Sequence, residues 1–279
     1  MRSTLLLTAA AMLAFAANSV LCRLALTHTA IDPAAFTLTR IASGAAMLWL
    51  LSNWVGRRKG IGGSWKGAAA LVIYAIAFSL AYVSLPAGTG ALLLFGAVQV
   101  TMIATGLVLG ERLSLGQWAG LAVALAGLVT LVAPGVSAPP PLGAALMALA
   151  GVSWGLYSLL GRGATDPVAT TAGNFLRGVP LAMIPAAILM SHLNLDPMGI
   201  LYAVLSGTLA SGCGYILWYG VLPRLSAAQG ATVQLSVPVI AALAGAALMG
   251  EALSIRLSIA SAAVLGGIAL AIASREKRM

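Results

Sequence analysis

Aromatic residues recur at helical spacing inside the most apolar stretches of this chain, with amides and hydroxyls beside them. Tyr74, Phe78 and Tyr82 follow at i, i+4 and i+8, which puts all three on one face of a helix. Tyr215, Trp218 and Tyr219 form a second set, Trp154, Tyr157 and Ser158 a third, and Phe15, Asn18 and Ser19 a fourth. Gln99 and Gln234 lie well inside apolar runs. Such a set can stack a flat or apolar group on rings and orient its polar end with amides and hydroxyls. This is binding chemistry rather than bond-breaking chemistry. Each residue also has a plainer use. Tyr82 and Tyr219 stand near the ends of their runs, where an interfacial aromatic belt would sit. Asn18, Gln99 and Gln234 can tie helices together by interhelical hydrogen bonds. Pro238 has no N–H to offer the carbonyl of Gln234, so it marks a hinge with a carbonyl free to receive an ammonium group, or else a simple packing kink.

The charged residues divide by depth. Arg40 and Arg177 fall about two turns inside apolar runs, where each is expected to snorkel to the interface or to pair with a substrate carboxylate. Glu111 and Glu251 stand where runs begin, positions suited to helix capping and loop pairing. All six acidic residues (Asp32, Glu111, Asp166, Asp196, Glu251 and Glu276) and both histidines, His28 and His192, fall at run ends or between runs. A proton relay needs an ionisable group at membrane depth, so uniport or exchange is expected over proton antiport. Cys22 and Cys213 lie in apolar runs without metal-ligand spacing and read as packing residues; no metal and no cofactor is expected.

The elements that must position these side chains are membrane helices. Hydrophobic residues make up 61% of the chain and charged residues 8%, too few charges to clothe a water-facing surface. Runs of alternating polarity are absent, which argues against a membrane barrel. Ten spans of about 20 residues are expected, at 4–27, 34–55, 66–84, 89–109, 115–133, 141–161, 168–190, 197–219, 227–249 and 255–273. Asp32-Pro33, Asp166-Pro167, Asp196-Pro197 and the prolines at 139–141 punctuate them. Ser114 with Gln117 predicts a capping box at the start of the fifth span. The net charge of +9 lacks the aromatic interleaving of a nucleic-acid surface, so no nucleic-acid partner is expected. The partners are instead the lipid bilayer and a small-molecule substrate. No serine-hydrolase, zinc-protease or paired intramembrane aspartate motif occurs, so the chain is not read as an enzyme. A channel is the remote alternative, and no filter-like segment appears.

The spans repeat. Residues 109–131 and 249–271 agree without a gap at seven of 23 positions, among them Glu111 with Glu251 and Ser114 with Ser254. Phe15, Asn18 and Ser19 match Trp154, Tyr157 and Ser158, while Phe78 and Tyr82 match Tyr215 and Tyr219. Arg23 matches Arg162, and Arg40 matches Arg177. Residues 1–134 and 141–279 are therefore expected to be two five-helix repeats forming one transmembrane domain. Five spans per half is an odd number, so the second half runs inverted. With both termini cytoplasmic, twelve Lys and Arg residues fall inside and three outside, which sets the orientation in a cell's inner (plasma) membrane. Gly116 and Gly120 form a GxxxG pair that serves either a weak homodimer or close packing within a monomer.

Two five-span halves, each carrying G-E-x-L-S before its last span, resemble the drug/metabolite transporter superfamily in its ten-helix EamA type. The resemblance covers essentially the whole chain and implies an all-α exporter of small metabolites working by alternating access. Its aromatic amino-acid exporters are the most similar in length and central aromatics. Export of nucleosides or drug-like amphiphiles is the alternative. The small multidrug exporters of that superfamily carry a glutamate in the first helix, where this chain reads AMLAFAANS. The family often has a proline before each G-E motif; Pro238 fits, but Val98 stands at its partner position.

Overall fold

The computed structural model describes residues 2–54, 62–110, 112–135, 138–161, 164–188, 194–221, 224 and 233–276. It is all-helical, with no strand among these residues. The helices are α1 (Arg2–His28), α2 (Pro33–Trp54), α3 (Trp65–Tyr82), α4 (Ala87–Val108), α5 (Leu115–Val132), α6 (Pro141–Leu160), α7 (Pro167–Ile188), α8 (Pro197–Leu205), α9 (Gly214–Val221), α10 (Ser236–Met249) and α11 (Ile255–Glu276). Eight helical stretches are long and apolar enough to cross a membrane, with Pro197–Trp218 counted as one. The apolar α10 has only 14 residues. Helix α7 has 22 but carries Asn174, Arg177, Pro180 and Pro185.

Helix ends follow local chemistry. Asp32 Oδ1 accepts from the backbone N–H groups of Ala34 and Ala35. Asp166 does the same for Ala169 and Asp196 for Gly199. In each case the proline after the aspartate opens the helix, where its missing N–H costs nothing. Ser114 and Gln117 close the expected capping box at the start of α5.

Two features of the second half differ from expectation. The eighth span is not one regular helix: Ser206–Cys213, between α8 and α9, is π-helical. The wider turn lets Gly207 approach α2 so closely that a Cβ there would strike the Arg40 carbonyl and the Ser43 hydroxyl. The ninth span was placed at 227–249, but its regular helix starts at Ser236, and 225–232 lie outside the described residues. Val233 and Gln234 are helical, Leu235 interrupts the run, and Pro238 stands in the first turn after that break, where it offers no N–H to the Gln234 carbonyl.

Helix α5 packs on α11, α3 on α6, α2 on α7, and α4 on both α6 and α10, while α1 meets the π-helical segment, α9 and α10. Small residues permit the closest of these approaches. A Cβ on Gly120 would run into the Gly267 carbonyl, and Gly116 lies against Ser274. The GxxxG pair is thus occupied within the chain, in the α5–α11 contact. Between segments, Arg256 donates to the Ala133 and Pro134 carbonyls, and Asn174 Oδ1 accepts from the Ser64 N–H.

Candidate functional site

The aromatic faces converge where α1, α3, α4, α6 and the π-helical segment with α9 surround a small cavity of about 30 Å³. That is room for about two water molecules. Phe15, Asn18, Ser19, Tyr74, Phe78, Trp154, Tyr215 and Gln234 line it, all singled out in the sequence. Leu94, Phe95, Ala210 and Ser211 complete the wall. Rings fill most of the space. Trp154 stacks on Tyr215 at 5.3 Å and tilts against Tyr74 at 4.9 Å. Phe15 closes the far side, 6.0 Å from Tyr215. The matched pairs Phe15 with Trp154 and Phe78 with Tyr215 thus all reach the same cavity.

Other expected residues stand one layer back. Tyr82 is buried, packs edge-on against Phe78 at 4.6 Å and donates its hydroxyl to the Ala87 carbonyl. It is not a belt residue: its ring is fully buried, on the same face of α3 as Phe78. Tyr157 stacks behind Trp154 at 5.3 Å, and Trp218 packs edge-on to Phe15. Ser158 spends its hydroxyl on the Trp154 carbonyl of its own helix. Gln99 is separated from the set: it lines a crevice between α4, α5 and α11 with Gly120 and Ile268. It follows Phe95 by four residues and so shares its side of α4, but one turn further along that helix it meets α5 and α11 and not the ring cluster. The Tyr219 side chain, Glu111 and Arg162 lie outside the described residues.

The polar part of the cavity is a chain of hydrogen bonds. The Ser206 hydroxyl donates to Asn18 Oδ1 at 2.6 Å, and Asn18 Nδ2 donates to the Tyr74 hydroxyl oxygen at 3.1 Å. Arg40 Nη2 donates to that same oxygen, also at 3.1 Å. Arg40 does not snorkel: it is 1% exposed, and its guanidinium carbon lies 5.2 Å from the ring centres of both Tyr74 and Phe78. The close contact of Gly207 with the Arg40 carbonyl and Ser43 packs this part of α2 against the π-helical segment. Its counterpart Arg177 is half-buried, and its Nη1 donates to the Gly173 carbonyl of its own helix and to the Gly62 carbonyl ahead of α3. Sequence reading missed Phe175, whose ring packs edge-on to Tyr215 from α7. It also missed Ser206 and Ser211, because nothing in the sequence marks the π-helical turn that aims them.

Glu251 acts across helices. Its Oε2 accepts from the Ala87 N–H at the start of α4, 2.7 Å away, and its Oε1 pairs with Arg23 Nε. It caps a neighbouring helix, while Ser254 caps its own through the Leu257 N–H. The preceding glycine makes this possible. Gly250 is left-handed at φ 65° and ends α10, and Gly110 in the other G-E motif has φ 89°.

A bundle of apolar helices around a pocket of rings, amides and hydroxyls is the build of a multi-pass membrane transporter. The chain belongs to the EamA-like transporter family, within the drug/metabolite transporter superfamily: the family's model matches residues 2–133 and again 141–273. An uncharacterized protein of Pseudomonas aeruginosa is 58% identical over 279 residues, covering 99% of this chain and 97% of that one. A probable terminal-alkyne amino-acid exporter of Streptantibioticus cattleyicolor is 28% identical over 190 residues, 66% of this chain and 64% of its own. A solved crystal structure superposes with a TM-score of 0.72 at 22% identity, over 99% of this chain and 98% of the other, which establishes likeness of fold.

Proposed function

We propose that the chain exports small amino acids with aromatic or other apolar side groups across the inner membrane, by uniport or exchange. The observation that carries this reading is the convergence of matched aromatic residues from both halves on one cavity with a hydrogen-bonded polar end. Rings supply stacking for an apolar side group, and Asn18, Ser19 and Gln234 orient the charged end. The name of the Streptantibioticus relative supports an amino-acid cargo. Rings occupy most of the site and leave room for about two water molecules, so they must part for the substrate to enter, as alternating access requires.

Two inverted five-helix repeats, 1–134 and 141–279, account for the packing. The contact of α3 with α6 is answered by that of α1 with α9, and the contact of α4 with α6 by that of α1 with α10. Exchanging the halves maps each contact onto another, as expected for a midplane site at a repeat interface. Both termini are cytoplasmic in this reading, from the Lys and Arg asymmetry. Pro238, beside Gln234 at the start of α10, is the hinge. The cargo leaves through a monomer, since the GxxxG pair is used internally.

Counterflow of radiolabelled tryptophan, leucine and threonine in proteoliposomes tests the reading. Tryptophan and leucine are expected to exchange faster than threonine, and the exchange should survive a protonophore, because every described carboxylate lies at a helix end. Nucleoside counterflow without amino-acid counterflow would replace the cargo, and uphill movement driven by a pH gradient alone would replace the mechanism.

A further inference from the structure

Among the described residues, Arg40 is a buried cation without a matching anion. Among the described residues the ion pair is Arg23 with Glu251, and the carboxylates of Asp32, Asp166, Asp196 and Glu251 all serve helix ends. Arg40 Nε and Nη1 have no hydrogen-bond partner among the described residues. An uncompensated guanidinium inside a membrane bundle is costly, and two aromatic faces repay part of that cost. Such a group persists where a ligand supplies what the protein withholds.

The Tyr74 hydroxyl points the same way. A phenol oxygen has two lone pairs and one hydrogen. Asn18 Nδ2 and Arg40 Nη2 both donate to it, so its lone pairs are engaged and its own hydrogen is left to give. Asn18 cannot reverse these roles cheaply, because Ser206 already donates to its Oδ1. Tyr74 lines the cavity, and Arg40 lies directly behind the rings of Tyr74 and Phe78. This end of the cavity offers a donor hydroxyl backed by a positive charge.

We propose that Arg40, with the Tyr74 hydroxyl, is the receptor for the carboxylate of the transported molecule. The inference rests on the cavity being the transport site and adds what the cargo must carry. A single guanidinium balances a monovalent anion. A phosphate monoester, with a charge of about −1.5 to −2 at neutral pH, would leave the site overcharged. When the rings part, the carboxylate accepts hydrogen bonds from the Tyr74 hydroxyl and the guanidinium Nε and Nη1, and the buried charge gains its counter-ion. The arrangement selects against amines that lack a carboxylate. It also makes the two halves unequal, since Arg177 is half-buried and its Nη1 donates to the Gly62 and Gly173 carbonyls.

The test uses full-length purified protein and three variants, Arg40→Gln, Arg40→Lys and Tyr74→Phe. Each is titrated with indole-3-propionate, which has a carboxylate and no amine, and with tryptamine, which has the reverse. Isovalerate serves as a smaller carboxylate. The readout is the thermal midpoint, with tryptophan counterflow run in parallel. A carboxylate is expected to stabilise the wild type, with apparent affinity about tenfold or more weaker in Arg40→Gln and a smaller loss in Arg40→Lys. Tryptamine should shift nothing. The ligand-free midpoint of Arg40→Gln should equal or exceed that of the wild type, because an uncompensated charge has been removed. A structural arginine would lower it instead. If Arg40→Gln does not fold, Tyr74→Phe keeps the cation and deletes the free hydroxyl, and the same weakening is expected. The proposal is overturned if neither carboxylate stabilises the wild type, if tryptamine stabilises it equally, or if the variants bind the carboxylate unchanged. Absent tryptophan counterflow with intact carboxylate stabilisation removes the amino-acid reading alone. Undiminished counterflow in Arg40→Gln removes the anion site alone.

Discussion

Arg23 Nε and Glu251 Oε1 lie 2.9 Å apart although 228 residues separate them. The same guanidinium donates to the Tyr82 and Val83 carbonyls, and the same carboxylate caps the start of α4. One ion pair therefore ties the end of α1, the α3–α4 turn and the α10–α11 turn together at one end of the cavity bundle.

Removing either partner leaves the other half-buried and unpaired. Arg23→Gln and Glu251→Gln are each expected to lower stability by about 2 kcal/mol. The double variant should cost less than the sum, since the two losses share one interaction. Thermal midpoints in detergent, arranged as a double-mutant cycle, measure the coupling. Additive losses would mean that the pair contributes through its carbonyl and N–H contacts alone.

The ring walls give a second prediction. Trp154→Ala should cut transport of aromatic substrates about tenfold or more at unchanged membrane expression, because its ring stacks in the cavity centre. Phe78→Leu should impair transport while sparing the fold, whereas Phe78→Ala would also open a void in a fully buried position. Trp118, 49% exposed on α5, is the control, and Trp118→Ala should transport normally. Initial rates of counterflow at matched protein levels decide this.

Close packing of α5 on α11 gives a third. Gly120→Leu would drive a side chain into the Gly267 backbone and should abolish stable expression. Gly266→Ala meets open space and should be silent. A Gly120→Leu protein that folds normally and loses only a dimer in size-exclusion chromatography would move the GxxxG pair to an intermolecular surface.

Orientation gives a fourth. Cysteine at Ser137, in the turn between the halves, should react with an impermeant thiol reagent on intact cells, while cysteine at Gly60 should not. Both positions lie outside the described residues, so the motive is the Lys and Arg distribution. A background lacking Cys22 and Cys213 keeps the readout clean. Reversed labelling would invert the topology.

Much of this protein is written locally. Apolar runs about as long as a bilayer is thick, ended by Asp-Pro junctions and a capping box, predict where helices start, because capping involves residues within one turn of each other. Ring spacing along each helix is equally local, and eight of the fourteen expected binding residues line the cavity. What remained invisible depends on contacts between distant segments. Gln99 turned toward α5 because of how α4 packs, not because of its own surroundings in sequence. The π-helical turn at Ser206–Cys213 exists where Gly207 meets α2. Arg40 and Arg177 occupy matching places in the two halves, and the same side chain at the same depth suggested one fate for both. Burial against Tyr74 and Phe78 separated them, since a guanidinium's options depend on which helix lies between it and water.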